Sequence, residues 1–126
     1  MISKINKIKI ATILPYKENY TFSGAQAAAI WVCDFFKYSK FKTDNFIFGS
    51  TKQNDFLTNN YINIPLSNKK NKFTSNTNKY CDEIIKIIKK KNFEIIEIHN
   101  RPQIFSILKK NYLINLFYIF IMIHLV

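Results

Sequence analysis

Short apolar runs alternate with helical stretches along this chain, and that alternation limits its fold more than any other feature. Lys7 to Leu14 is an apolar run of strand type, followed by the loop Pro15 to Phe22 and by Ser23-Gly24-Ala25-Gln26, which opens a helix. Ala27, Ile30, Trp31, Phe35 and Tyr38 recur at helical spacing and predict the inward face of that helix. Asp44 to Gly49 reads as a second strand, Tyr61 to Ile64 as a short third one, and the polar stretch Ser67 to Asn78 as a loop. A helix over Lys79 to Lys90 should turn Cys81, Ile84, Ile85 and Ile88 inward and Lys79, Lys86 and Lys89 outward, with Asp82 and Glu83 in its first turn. Phe93 to Ile98 is a fourth strand, and Pro102 suits the first turn of a helix over Gln103 to Lys110. Strands alternating with helices call for right-handed crossovers onto a parallel sheet. The expected fold is α/β, a Rossmann-like parallel sheet with helices on both faces.

Length and composition narrow the function. A chain of 126 residues holds one domain of ordinary size, and 48% hydrophobic residues supply a core. The net charge of +11 raises nucleic acid as a partner, but 18 of the 19 basic residues are Lys and only Arg101 is Arg. Bidentate recognition of phosphate and base edges favours Arg. Lys, Asn and Ile, all with A/T-rich codons, make up 55 residues, so the charge reads as compositional drift on a solvated surface, and no nucleic-acid partner is expected. Cys33 and Cys81 lie far apart without Cys/His ligand spacing, which predicts two buried thiols and no metal. The N-terminal MISKINKIKIATIL alternates Lys and Ile and reads as a strand, not a signal peptide, so a cytoplasmic location is expected.

Ligands of such sheets bind beyond the carboxyl ends of the strands, which draws attention to the residues after Leu14 and after Ile98. The loop ending in Ser23-Gly24 brings backbone N–H groups to a helix N-terminus, where an anion or a sugar hydroxyl could approach a residue without a Cβ. A tight turn needing glycine for its conformation explains the same residues. Three spaced glycines or Gly-Lys-Ser/Thr would mark a nucleotide fold, and neither is present. His99-Asn100-Arg101-Pro102 closes the fourth strand: His99 could exchange a hydrogen bond or a proton with a sugar, and Arg101 could meet a phosphate. The alternative is a turn whose polar side chains are satisfied within the chain.

The segments KIKIATILPYKENYTFSGAQAAAIW and IIEIHNRPQIFSILKK resemble the N-terminal domain of family 4 glycosyltransferases of the GT-B fold, over about residues 7 to 112. The resemblance implies the acceptor-side half of a two-domain enzyme that transfers a sugar from a nucleotide-sugar donor to a glycan or lipid acceptor, with peripheral membrane contact possible. Family members often carry Gly-Gly in the first loop; here Ser23 replaces the first glycine and Gly24 carries over. His99 and Asn100 match the family's strand-end His-Asn, which implies a place in the acceptor-side wall of the cleft. Substrate contact is therefore expected at Ser23, Gly24, His99, Asn100 and Arg101, of which the resemblance carries over Gly24, His99 and Asn100, and no catalytic residue, metal or cofactor is assigned. The family's donor-binding C-terminal domain has no counterpart in the 126 residues.

Residues 113–126, LINLFYIFIMIHLV, form an apolar tail too short for a membrane span, which needs about 20 residues. Allowed codons for this stretch, shifted by one base, translate as Pro-Asn-Lys-Leu-Ile-Leu-Tyr-Phe-His-Asn-Asp-Pro-Phe-Ser. This string resembles the family's next strand and its His-Asn-Asp-Pro loop. The Asp follows whatever codons are chosen, because Met122 ends its codon in G and Ile123 begins with AT. A frameshift after Tyr112 is the expectation, with residues 1–112 an incomplete domain and Leu116 to Ile123 pairing as a makeshift fifth strand. The competing function class is a non-catalytic fragment or small α/β binding module without transferase activity.

Overall fold

The computed structural model describes residues 8–40, 44–66, 75–99, 101–111 and 118–122. Its elements in chain order are β1 (Ile10–Ile13), α1 (Ala27–Tyr38), β2 (Asn45–Gly49), β3 (Tyr61–Asn63), α2 (Asn76–Lys91), β4 (Ile95–His99), α3 (Pro102–Asn111) and β5 (Tyr118–Met122). The five strands form one sheet in the order β3-β2-β1-β4-β5, and every pairing is parallel. The chain thus folds as the Rossmann-like α/β arrangement that its alternation predicts.

Strand periodicity divides the sheet into two faces. On one, Ala11 and Ile13 of β1, Phe48 of β2, and Ile96 and Ile98 of β4 pack with Ile84, Ile85 and Ile88 of α2 and with Ile104 and Leu108 of α3. Fully burying an isoleucine such as Ile84 or Ile88 contributes about 1.5–3 kcal/mol, so this face dominates stability. On the other, Leu14 and Ile47 lie under Ala28, Ala29, Val32 and Cys33 of α1. Thr12 and Asn45 share that second face as a buried pair, the Thr12 hydroxyl donating to Asn45 Oδ1 at 3.0 Å.

Two sequence expectations are corrected. Ala27, Ile30, Trp31, Phe35 and Tyr38 do not form the inward face of α1: Ile30, Phe35 and Tyr38 are 49%, 53% and 88% exposed, Ala27 is exposed and Trp31 half-buried. This helix is apolar on two sides, so periodicity alone does not choose between them. Its small side, Ala28, Ala29, Val32 and Cys33, is the one against the sheet, where short side chains allow close approach. The second correction concerns α2, which starts at Asn76 instead of Lys79, capped by the Ser75 hydroxyl accepting from Asn78 N–H at 3.1 Å. Its first turn therefore contains no acidic residue, and Asp82 and Glu83 fall beyond the reach of the dipole argument.

The apolar tail does pair beside the fourth strand, with Tyr118 to Met122 in register with Ile95 to His99. Leu116, Ile123 and His124 lie outside the described residues. No helix among the described residues is long and apolar enough to cross a membrane.

Candidate functional site at the carboxyl edge of the sheet

From β1 the chain steps outward to β2 and β3, then α2 carries it back to β4 on the other side of β1. Strand order therefore reverses between β1 and β4, and the crevice beyond the carboxyl ends at such a reversal is where open α/β sheets bind ligands. Ile13 stands level with Ile98, so the loop after β1 and the end of β4 flank this crevice. Gly24, in the loop after β1, and His99 thus belong to the carboxyl edge of the sheet, although His99 is the last residue of β4 and not, as expected from the sequence, a residue beyond the strand's end.

The loop after β1 is tied down by its own chain. Thr21 bridges Phe56 of the segment after β2, and Phe22 N–H donates to Asp55 O at 3.0 Å. Ser23 N–H donates to Asp55 Oδ2 at 2.8 Å and its hydroxyl to Asp55 Oδ1 at 3.1 Å. Gly24 N–H donates to Thr21 Oγ1 at 3.1 Å, and Ala29 N–H, in the first turn of α1, donates to Glu18 Oε1 at 3.1 Å. Three N–H groups that could have met an anion thus already serve the chain's own oxygens, two of them on carboxylates. A phosphate arriving here would face Asp55 and Glu18, which oppose it electrostatically.

Gly24 itself is not required by the turn. Its φ is not positive, and a Cβ built there would meet Asn19 and Thr21 only at ordinary van der Waals distance, 3.5 Å at the nearest. The conformational explanation for a glycine therefore fails at this position.

At the other side of the crevice, Glu97 and His99 occupy the same face of β4 as Thr12 and Asn45 do on their strands, because residues two apart on a strand point the same way. The His99 ring is fully buried; its Nε2 is hydrogen-bonded to Glu97 Oε1, and its Nδ1 has no partner. Trp31 of α1 stands over it, ring centroids 5.3 Å apart at 52°, and stacks in turn on Phe35 at 5.2 Å and 10°. The outward turn of the α1 aromatics is thus what brings an indole to the end of β4. Arg101 is exposed and begins the turn into α3, its carbonyl accepting from Ile104 N–H at 3.1 Å. Asn100 lies outside the described residues.

Sequence reasoning overlooked the groups that hold this edge in shape. Tyr80 of α2 is fully buried, and its hydroxyl donates to Leu14 O at 2.8 Å and Phe48 O at 3.2 Å, joining the ends of β1 and β2. Burial raises its pKa well above the usual tyrosine value, so the hydroxyl stays a donor. Thr51, Tyr61 and Asn63 form a second cluster: Thr51 Oγ1 and Tyr61 OH are 2.6 Å apart, and Thr51 N–H donates to Asn63 Oδ1 at 2.8 Å. A tyrosine one place before an inward cysteine on a lysine-rich helix was the available signal for Tyr80. Among the described residues no group of three His, Cys, Asp or Glu side chains could hold a metal. An open groove of about 620 Å³ lies between Pro65 and Leu66, just after β3, and the outer side of α2, where Lys86 pairs with Glu83.

These features define a class: a parallel Rossmann-like domain with a partly buried Glu-His pair beside an indole at the end of β4 and a glycine in the loop after β1, at its strand-order reversal. Compared with protein-family models, curated proteins and solved structures, the chain finds no match in any of them.

Proposed function

We propose that this chain is the acceptor-side domain of a glycosyltransferase whose intact form moves a sugar from a nucleotide-sugar donor to a glycan or lipid acceptor. The observation that supports it is that Gly24 follows β1 and His99 ends β4, the two neighbouring strands between which the order reverses, the place in an open α/β sheet where a ligand is held. The resemblance of residues 7 to 112 to family 4 N-terminal domains supplies the reaction. On this reading Ser23, Gly24, His99, Asn100 and Arg101 line the acceptor side of a cleft, and the donor-binding half lies in another frame beyond Tyr112. The 126 residues alone have no transferase activity, because positioning two reactants can supply about 7–11 kcal/mol of the barrier and one wall of a cleft does not position both.

The test is to resequence the locus past Tyr112, express the frame-restored protein and measure sugar transfer from nucleotide-sugar donors. Transfer by the restored protein and none by residues 1–126 is the expected outcome. A stop codon within a few residues of the restored frame would overturn the proposal. The second reading, a small binding module, is favoured by the internal saturation of the Ser23-Gly24 turn, and it predicts ligand binding by residues 1–126 with no downstream domain in any frame.

A further inference from the structure

His99 is the one buried side chain among the described residues with a polar atom left without a partner. A buried acceptor or donor without a partner costs about 1–3 kcal/mol, so its persistence calls for a reason. The Glu97 contact fixes the chemistry of that atom. An ionised carboxylate only accepts hydrogen bonds, so Nε2 must donate, and in a neutral imidazole the other nitrogen is then a lone-pair acceptor. Resting on the glycosyltransferase reading, we propose that Glu97 is a positioning residue that holds His99 as its Nε2–H tautomer, so that Nδ1 accepts a hydrogen bond from a hydroxyl of a neutral, sugar-like ligand and not from a phosphate.

Three observations favour the hydroxyl. On a neutral ring that donates through Nε2–H, Nδ1 is an acceptor, whereas a phosphate presents mainly acceptor oxygens. The Glu97 side chain, 18% exposed, puts a negative charge beside the ring, which repels an anion. The Trp31 ring stands tilted beside the same imidazole, and an indole gives the apolar side of a sugar a surface to rest on. The loop across the crevice agrees, since Asp55 and Glu18 already hold its N–H groups. Because His99 has no exposed surface, the ligand hydroxyl reaches Nδ1 only as the groups packed on the ring give way, and Trp31, the only Trp of the chain and 5.3 Å from that ring, reports its arrival.

The full chain labelled with 15N-histidine provides the test. Only two histidines are present, and a His124→Gln variant assigns the signals. The expected spectrum shows His99 protonated at Nε2 with a lone pair on Nδ1; protonation at Nδ1 instead would overturn the proposal without touching the transferase reading. Titration with methyl α-glucopyranoside should shift the Nδ1 resonance and change Trp31 fluorescence, while inorganic phosphate and methylammonium do neither. A response to either ion without one to the glycoside, or to none of the three, overturns the hydroxyl assignment. Glu97→Ala should scramble the tautomers and weaken the glycoside response about tenfold. Glu97→Gln, whose carbonyl still accepts from Nε2–H, should keep both within about threefold. If Glu97→Ala fails to fold, the Gln variant and the wild-type tautomer decide the matter, and a Gln variant with scrambled tautomers refutes the lock. Transfer by the frame-restored protein is a separate readout, so its failure leaves the tautomer result standing.

Discussion

Replacing Tyr80 by Phe removes one oxygen from the centre of the domain and nothing else. That oxygen donates to Leu14 O and to Phe48 O, both at the carboxyl ends of central strands. Phe48 O keeps a second donor, Leu14 N–H at 2.9 Å, so the loss falls mainly on the Leu14 carbonyl. Leu14 is buried, and water cannot replace the missing donor without opening the core. An orphaned buried acceptor costs about 1–3 kcal/mol, and the ring itself still fits, so Tyr80→Phe should destabilise by about 2 kcal/mol with no cavity contribution. Equilibrium urea unfolding measures this directly: the midpoint should fall with the slope unchanged, since the surface exposed on unfolding is the same. Hydrogen exchange at the ends of β1 and β2 should accelerate more than at α3, because the two ends lose their tie. A change below about 0.5 kcal/mol, or a uniform acceleration, would show that the Leu14 carbonyl finds another donor and that Tyr80 does not set the geometry of the edge.

Gly49 lies against Tyr61, where an added Cβ would stand 2.6 Å from the hydroxyl and 3.0 Å from the ring; Gly49→Ala should destabilise by about 1–3 kcal/mol, with partial relief in the Gly49→Ala/Tyr61→Phe double variant, measured by urea midpoints. Gly24→Ala, by contrast, should leave stability unchanged or raise it by about 0.4–1 kcal/mol while diminishing any glycoside-induced change in Trp31 fluorescence, because the turn does not need a glycine but an approaching ligand does. Burial pushes Tyr61 up to about 12, the Thr51 hydrogen bond opposing in part. The folded state therefore holds the proton more tightly than the unfolded one, and stability complete below pH 10 should be lost between about pH 10 and 12, by at most about 2–3 kcal/mol, with Tyr61→Phe flattening that part of the profile.

The parts of the fold that the sequence revealed are those where one interaction dominates. The β1, β2 and β4 runs are apolar because both their faces are covered, and a run of that kind flanked by helical periodicity has few other uses. Where two arrangements bury similar surface, pattern fails. In α1 the larger side chains mark the outer face and the small ones the inner, since helix-to-sheet distance, a tertiary quantity, decides which stripe fits. In α2 a single hydroxyl, Ser75, sets the start three residues before the apolar period begins. The tail β5 pairs because Tyr118, Ile119, Phe120 and Ile121 suit a strand in any context, so its pairing says nothing about whether its frame is the original one.

For the site, position was legible and chemistry was not. A glycine after the first strand and a histidine at the end of the fourth could be placed at one edge from strand parallelism alone. Whether that edge suits a phosphate or a hydroxyl depends on hydrogen bonds between residues distant in sequence. Ser23 and Asp55 are 32 positions apart, and their contact removes donors that the sequence leaves open. Glu97 and His99 are only two apart, yet their pairing matters because the ring is buried, with Trp31 from another element beside it, and Nδ1 is left without a partner. The edge therefore shifts from the anion site suggested by a glycine at a helix N-terminus to one whose free valence is an acceptor. With two carboxylates already on the N–H groups of the loop and a third on the histidine, an anion is the ligand that the arrangement penalises most, and a donor of hydrogen bonds the one that suits it.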